Sequence, residues 1–219
     1  MGPAGATTAS SPVSSVAVGP TAQPAATTPP TSARAALPTP EAGRQLTGQA
    51  AVDALRHGGY VLYFRHALTD QEEQDRDAPE LADCKLQRNL SEAGRDQARE
   101  IGRNIERLVL PIGIALASPY CRTRDTAGYA FGHYSVNRDL AQFTINDTGS
   151  EGRITALRRI LATVPAAGTD TVLVSHVNNF LAIGGVTLAE GEALLLVPDG
   201  SESFTIAGRI KPDEWATAK

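Results

Sequence analysis

The chain has 219 residues, 42% of them hydrophobic and 20% charged, with a formal net charge of −4. This composition suits a soluble globular protein of one domain with an appendage. An acidic balance gives no basic footprint for nucleic acid or an anionic membrane, while a locally positive site for a small anion is compatible with it.

Residues 1–47 are Ala, Thr, Ser and Pro with almost no large apolar side chains. Such a segment buries too little surface to offset the entropy of ordering it, so a disordered, partly extended linker is expected over 1–47. The folded domain is then 48–219. No apolar run in 1–47 reaches the length of a signal-peptide core or a membrane helix. A tether of this kind often follows an export signal or lipid anchor. A periplasmic or cell-surface location is therefore expected, with the cytoplasm as the alternative.

From residue 48 the hydrophobic pattern becomes periodic. "GQAAVDALRH" (48–57) predicts a short amphipathic helix ended by Gly58-Gly59. "YVLYF" (60–64) predicts a buried strand, and 67–89, with "DQEEQDRD" in it, a solvated loop. Ser91 can cap a helix running to about Val109 with Ala98, Ile101, Ile105 and Leu108 on one face; Pro111 and Gly113 break it. "IALAS" (114–118) reads as a strand, 122–131 and 152–164 as helices, and "TVLVSH" (171–176) as a third buried strand. "FLAIGGV" predicts a helical turn. "EALLLVPD" and "SFTIAGRI" predict a closing antiparallel pair turning at Asp199-Gly200. Strands alternating with helices indicate a three-layer α/β fold, a doubly wound and mostly parallel sheet with helices on both faces.

In such sheets ligands bind beyond the carboxyl ends of the strands. The first strand ends in Arg65-His66. The second ends in Ser118 and leads into a helix carrying Arg122 and Arg124, and the third ends in Ser175-His176. Any one of these alone is more often a packed histidine or a surface cation. Converging, they make a positive pocket whose guanidinium forks match phosphate oxygens. One neutral imidazole can attack phosphorus while the second histidine and the arginines stabilise charge on the transferring oxygens. The guanidiniums would then do the work that Mg²⁺ does elsewhere, so no cofactor is expected. Metal binding is not expected either, since two cysteines and four scattered histidines show no ligand spacing.

The same residues carry a resemblance. "YFRHALTD" resembles the Arg-His-Gly signature of the histidine phosphatase superfamily, the phosphoglycerate mutase-like fold. "NLSEAGRDQA", "ASPYCRTRDTA" and "VLVSHVNN" resemble three further segments of that family, in its order. The likeness points to its small bacterial exported-type phosphatases. It implies His66 as nucleophile and Arg65, Arg122 and His176 as the phosphate pocket of a metal-independent phosphomonoesterase acting on a small phosphorylated molecule. Two alternatives share the fold. A phosphosugar mutase ranks lower because the domain has little length for a covering lid; the other is a phosphate-binding module without catalysis. The resemblance implies neither a nucleic-acid partner nor a membrane span, and it assigns no oligomeric state.

There are two departures from the family pattern. Ala67 stands where Gly is usual, a change that the site should tolerate. The general acid is the larger one: Val177 follows His176, and Gln142 takes the place of the usual Glu. Asp70, Asp139, Glu190 and Glu192 are candidates, and Asp70 and Glu192 stand nearest in sequence to pocket elements. A site without a strong acid would favour good leaving groups such as acyl, aryl or histidine phosphates. Cys121 directly precedes Arg122, and Cys84 lies in the loop leading to "QRNLS", which the resemblance puts near the same crevice. A Cys84–Cys121 disulfide pinning that loop is expected, in keeping with export.

Overall fold

The computed structural model describes residues 45–76, 81, 83–144 and 146–219. The linker expected over 1–47 lies outside the described residues except at 45–47. There Leu46 already pairs with a strand, its N–H donating to Ala207 O and its carbonyl accepting from Arg209 N, both at 2.9 Å.

The elements run α1 (Gly48–Leu55), β1 (Val61–Arg65), α2 (Glu92–Arg107), β2 (Ile112–Ala117), α3 (Cys121–Phe131), β3 (Ser135–Val136), α4 (Ser150–Leu161), β4 (Asp170–Ser175), α5 (Val177–Gly184), β5 (Ala193–Pro198), β6 (Phe204–Ile210) and α6 (Glu214–Thr217). One mixed sheet has the order β3-β2-β4-β1-β5-β6. β1, β2, β3 and β4 are parallel, and β5 and β6 return antiparallel at one edge.

The period of two in β1 splits the core into two layers. Leu62 and Phe64 join the cluster built with α1, α2, α3 and α6, while Val61 and Tyr63 join the one built with α4 and α5. Both faces are thus covered, the condition for a parallel sheet. It also explains why β1 reads as an unbroken apolar run: Val61, Leu62, Tyr63 and Phe64 are all buried. Among the described residues no helix is long and apolar enough to cross a membrane.

Boundaries differ from the sequence reading in a few places. α2 starts where expected, Ser91 Oγ accepting from Gly94 N at 3.0 Å. It ends at Arg107 rather than Val109. Val109 takes the left-handed conformation (φ 54°), with its N–H closing back on Glu106 O, and stands exposed. β2 begins two residues before the expected strand, at Ile112, and carries a register irregularity between Ile112 and Ile114. The turn expected near 180–186 is the later part of α5, which starts directly after His176.

At the other end of the sheet from the strand carboxyl ends, Asp170 opens β4 fully buried. Oδ1 accepts from Tyr60 N at 2.9 Å, and Oδ2 has no hydrogen-bond partner. Burial pushes this carboxyl up from 3.8 to about 7. A raised folded-state value stabilises below the unfolded value of 3.8 and is lost as pH rises through 7. Asp170→Asn should therefore match the wild type near pH 4. It should gain on it between about pH 4 and pH 7, by up to about 4 kcal/mol at 1.36 kcal/mol per unit, and level off above pH 7. Thermal melts of both proteins across that range check this, and a pH-independent difference would remove the account of Asp170.

Candidate active site

The order β2-β4-β1 sets three strand ends side by side, and each contributes polar groups. Arg65 closes β1 and His66 follows it. Ser118 follows β2, and His176 follows β4 as the residue before α5. Parallel pairing fixes the level, with Arg65 beside Ser175 and the His66 N–H donating to Ser175 O at 3.1 Å. The His66 and His176 rings lie edge to face with centroids 5.7 Å apart, and both side chains are buried.

His66 is held in one tautomer. Its Nδ1 is 2.9 Å from Ala67 O, and a carbonyl can only accept, so Nδ1 carries the proton and Nε2 keeps its lone pair. Ala67 is fixed in turn, its N–H donating to Thr126 Oγ1 at 3.0 Å. Thr126 lies on α3 one turn after Arg122 and donates to Arg122 O at 2.7 Å. The Ser-x-x-x-Arg-x-x-x-Thr segment thus holds the histidine's backbone as well as supplying an arginine. The Ala67 side chain is accommodated, fully buried with Leu90 and Ala98.

Burial pushes His66 down to about 3, and the guanidiniums of Arg122, Arg65 and Arg88 act in the same direction against the Ala67 carbonyl. His176 is held well below its ordinary value, first by burial, then by Arg122, His66, Arg65 and Arg88. Both rings are therefore neutral near pH 7, the state in which an imidazole is a nucleophile. Ser118 Oγ lies 2.8 Å from His176 Nε2, and Tyr63 Oη donates to His176 O at 2.8 Å. His176 Nδ1 is buried without a hydrogen-bond partner.

The two expected arginines frame the rings. Arg65 donates from Nη1 to Leu188 O at 2.8 Å and from Nη2 to Glu190 Oε1 at 3.2 Å. Arg122 is fully buried over the Tyr120 ring, its Cζ 4.6 Å from the centroid. It donates to Asp75 Oδ1 at 2.9 Å, Arg88 O at 3.2 Å and Gln142 Oε1 at 2.7 Å. Gln142, which replaces the usual acid, is thus a neutral partner of the clamp. The Nε groups of Arg65, Arg88 and Arg122 are buried without partners. Three unpaired guanidinium N–H groups around two neutral histidines make a cradle for an anion rich in acceptor oxygens. Nothing in that donor set resembles a cation site.

Several contributors are absent from the sequence reading. Arg88 is a third guanidinium whose charge reaches both histidines and both arginines. The acidic loop is more ordered than a solvated stretch: Asp75 Oδ1 accepts from Arg88 N at 3.0 Å, and Glu73 Oε2 accepts from Asn89 N at 2.7 Å. These carboxylates hold the returning limb of the loop. A disulfide joins Cys84 to Cys121, and Gln87 Oε1 accepts from Cys121 N at 2.9 Å, so the limb is tied to the first turn of α3 beside Arg122. α2 closes the loop's other end. A Cβ on Gly94 would stand 1.8 Å from Leu68 O, so only glycine allows that approach.

The acid candidates fare differently. The Glu192 carboxylate, itself buried, accepts from Arg209 Nε at 2.6 Å and Ala189 N at 2.7 Å, and Arg209 is partly exposed. Asp70 is engaged in its own loop, accepting from Glu72 N at 2.9 Å, and Asp139 is exposed after β3. Of the four, Glu190 is the one brought to the pair Arg65-His66.

The fold and the pocket define the class: an α/β protein with two histidines and a set of guanidiniums at adjoining strand ends. In sequence, the model of the histidine phosphatase superfamily (branch 1) matches residues 61–140. None of the curated proteins matches the chain in sequence. Among solved structures, the protein histidine phosphatase SixA complexed with tungstate is similar in fold, with a TM-score of 0.51 and 18% identity. The match covers 70% of this chain and 97% of that one. A phosphoserine phosphatase from Entamoeba histolytica, in complex with 3-phosphoglyceric acid, aligns with a TM-score of 0.48 and 12% identity over 71% of this chain and 98% of that one. A mycobacterial glucosyl-3-phosphoglycerate phosphatase aligns with a TM-score of 0.44 and 16% identity over 68% and 96%.

Proposed function

We propose that this chain hydrolyses phosphomonoesters through a phosphohistidine on His66. The observation that carries the reading is the His66 tautomer: Nδ1–H bonded to Ala67 O, Nε2 free, with His176 alongside and three guanidiniums around both. Nε2 attacks phosphorus, the P–O ester bond breaks, and its electron pair leaves with the oxygen. Water then attacks the phosphoenzyme and the N–P bond pair returns to Nε2. Arg65, Arg122, Arg88 and His176 hold charge on the phosphoryl oxygens throughout, so catalysis needs no metal.

Gln142 stands at the clamp in place of the usual acid, and Glu192 is paired to Arg209, so neither protonates a leaving alkoxide. The substrates are then small phosphorylated molecules with good leaving groups, aryl, acyl or histidine phosphates. The disulfide favours an oxidising compartment, the periplasm or cell surface.

The test is p-nitrophenyl phosphate hydrolysis by the full chain in excess EDTA. Release at the same rate with and without chelator is expected. Loss of activity in EDTA, restored by a divalent cation, would overturn the metal-independent mechanism. Tight binding of tungstate or phosphate without any turnover would favour a phosphate-binding module instead.

A further inference from the structure

Glu190 lies in the turn before β5, and nothing in the reaction above uses it. Its Oε1 accepts from Thr69 Oγ1 at 2.7 Å and from Arg65 Nη2 at 3.2 Å, and Oε2 accepts from Thr69 N at 3.3 Å. The side chain is only 11% exposed, and Oε1 stands 4.0 Å from His66 Nδ1. The turn that carries it is fixed to the same two residues. Gly191, at φ 80°, donates its N–H to His66 O at 2.9 Å, and Arg65 N donates to Glu192 O at 3.0 Å.

The side of the ring decides what Glu190 can do. It faces Nδ1, whereas the attack runs from Nε2 on the other edge, and the leaving oxygen lies beyond phosphorus on that line. A proton on Glu190 cannot reach the leaving group. A negative charge on Glu190 can reach the ring. When the Nε2 lone pair becomes an N–P bond, the imidazole keeps its Nδ1 proton and acquires a formal positive charge. It does so while buried beside neutral His176 and among Arg65, Arg88 and Arg122, whose charges disfavour a cation there. Among the described residues, Glu190 is the one carboxylate whose oxygen comes within 4.0 Å of a ring nitrogen of His66.

We propose that Glu190 is the charge partner of phosphorylated His66, a positioning residue that keeps the phosphoimidazole in its protonated form and so makes it a good leaving group for hydrolysis. The proposal rests on the phosphohistidine reading above. Protonated phosphoimidazole expels a neutral ring when water attacks, and the deprotonated form would have to expel an anion. Removing the Glu190 charge therefore slows the second half-reaction more than it weakens substrate binding.

The test follows the phosphoenzyme of the full chain, formed with p-nitrophenyl phosphate, by ³¹P NMR and rapid quench between pH 5 and 9. Glu190→Gln keeps the shape and, through its amide oxygen, the Thr69 Oγ1 contact, but not the Thr69 N–H contact or the charge. Its hydrolysis limb should move about one pH unit toward acid, with phosphoenzyme lifetime at pH 7 rising about tenfold and KM changing far less. Glu190→Asp, which keeps the charge, should retain the wild-type limb even at a reduced rate. A Gln variant whose pH profile superimposes on the wild type overturns the role of Glu190 and leaves the phosphatase reading intact. A wild type that never carries phosphate on histidine overturns both.

Discussion

His66→Ala is expected to lower kcat/KM for p-nitrophenyl phosphate by about 10⁴-fold or more while leaving anion binding largely in place. The expectation follows from how the ring is built in. Its proton is committed to Ala67 O and its charge is suppressed by burial, which leaves Nε2 free for the role the proposed mechanism gives it. His176 cannot substitute, because its Nε2 is 2.8 Å from Ser118 Oγ and its position, directly after β4, is set by a different strand end. Arg65 and Arg122 are held by Leu188, Glu190, Asp75 and Gln142 rather than by His66, so the cradle survives the truncation. Calorimetric titration with tungstate should give a Kd within about tenfold of wild type, as loss of one neutral partner among several charged ones implies. A variant that binds tungstate normally and still turns over would remove His66 from the chemistry.

Opening the Cys84–Cys121 bond should cost both stability and substrate affinity. The bridge closes 37 residues, and constraining a loop of that length in the unfolded chain contributes roughly 3–4 kcal/mol on the chain-entropy account. Equilibrium urea unfolding of the native protein against a Cys84→Ser/Cys121→Ser variant measures this directly. The functional effect comes from what the bridge holds. The limb beyond Cys84 carries Gln87 onto Cys121 N and the Arg88 carbonyl onto Arg122, and its Asp75 partner pairs with the same guanidinium. Once the limb is free, Arg88 no longer adds its charge, and KM should rise about tenfold or more with a smaller change in kcat, the pattern of lost binding rather than lost chemistry. Equal midpoints and equal KM values with and without the bridge would show that the limb is held without it.

The parts of this site legible in the sequence are those that sit where an apolar run stops. β1 and β4 are buried almost throughout and β2 is apolar with its later half buried, so they read as hydrophobic segments, and the polar residues at their ends stand out: Arg65, His66, Ser118 and His176. Parallel order then forces those ends together. Elsewhere the pattern is silent. Glu190 and Glu192 are two residues apart in a short polar turn, and nothing in composition separates them. The positive φ of Gly191 turns the chain so that Glu190 meets Arg65 while Glu192 meets Arg209. Asp75 and Arg88 were hidden by their surroundings, since a loop dense in charge looks solvated whether or not its carboxylates accept backbone N–H groups. β3, two residues long, is too short to carry a period, and the left-handed Val109 that ends α2 early is a conformation β-branched residues rarely signal.

The most direct test of the central claim is to locate phosphate on the protein. Wild type quenched in base during turnover of p-nitrophenyl phosphate, then digested and sequenced by mass spectrometry, should carry one acid-labile phosphate on the peptide containing His66. His66→Ala treated identically should carry none. Phosphate on His176, on a hydroxyl or on no residue at all during confirmed turnover would contradict the account.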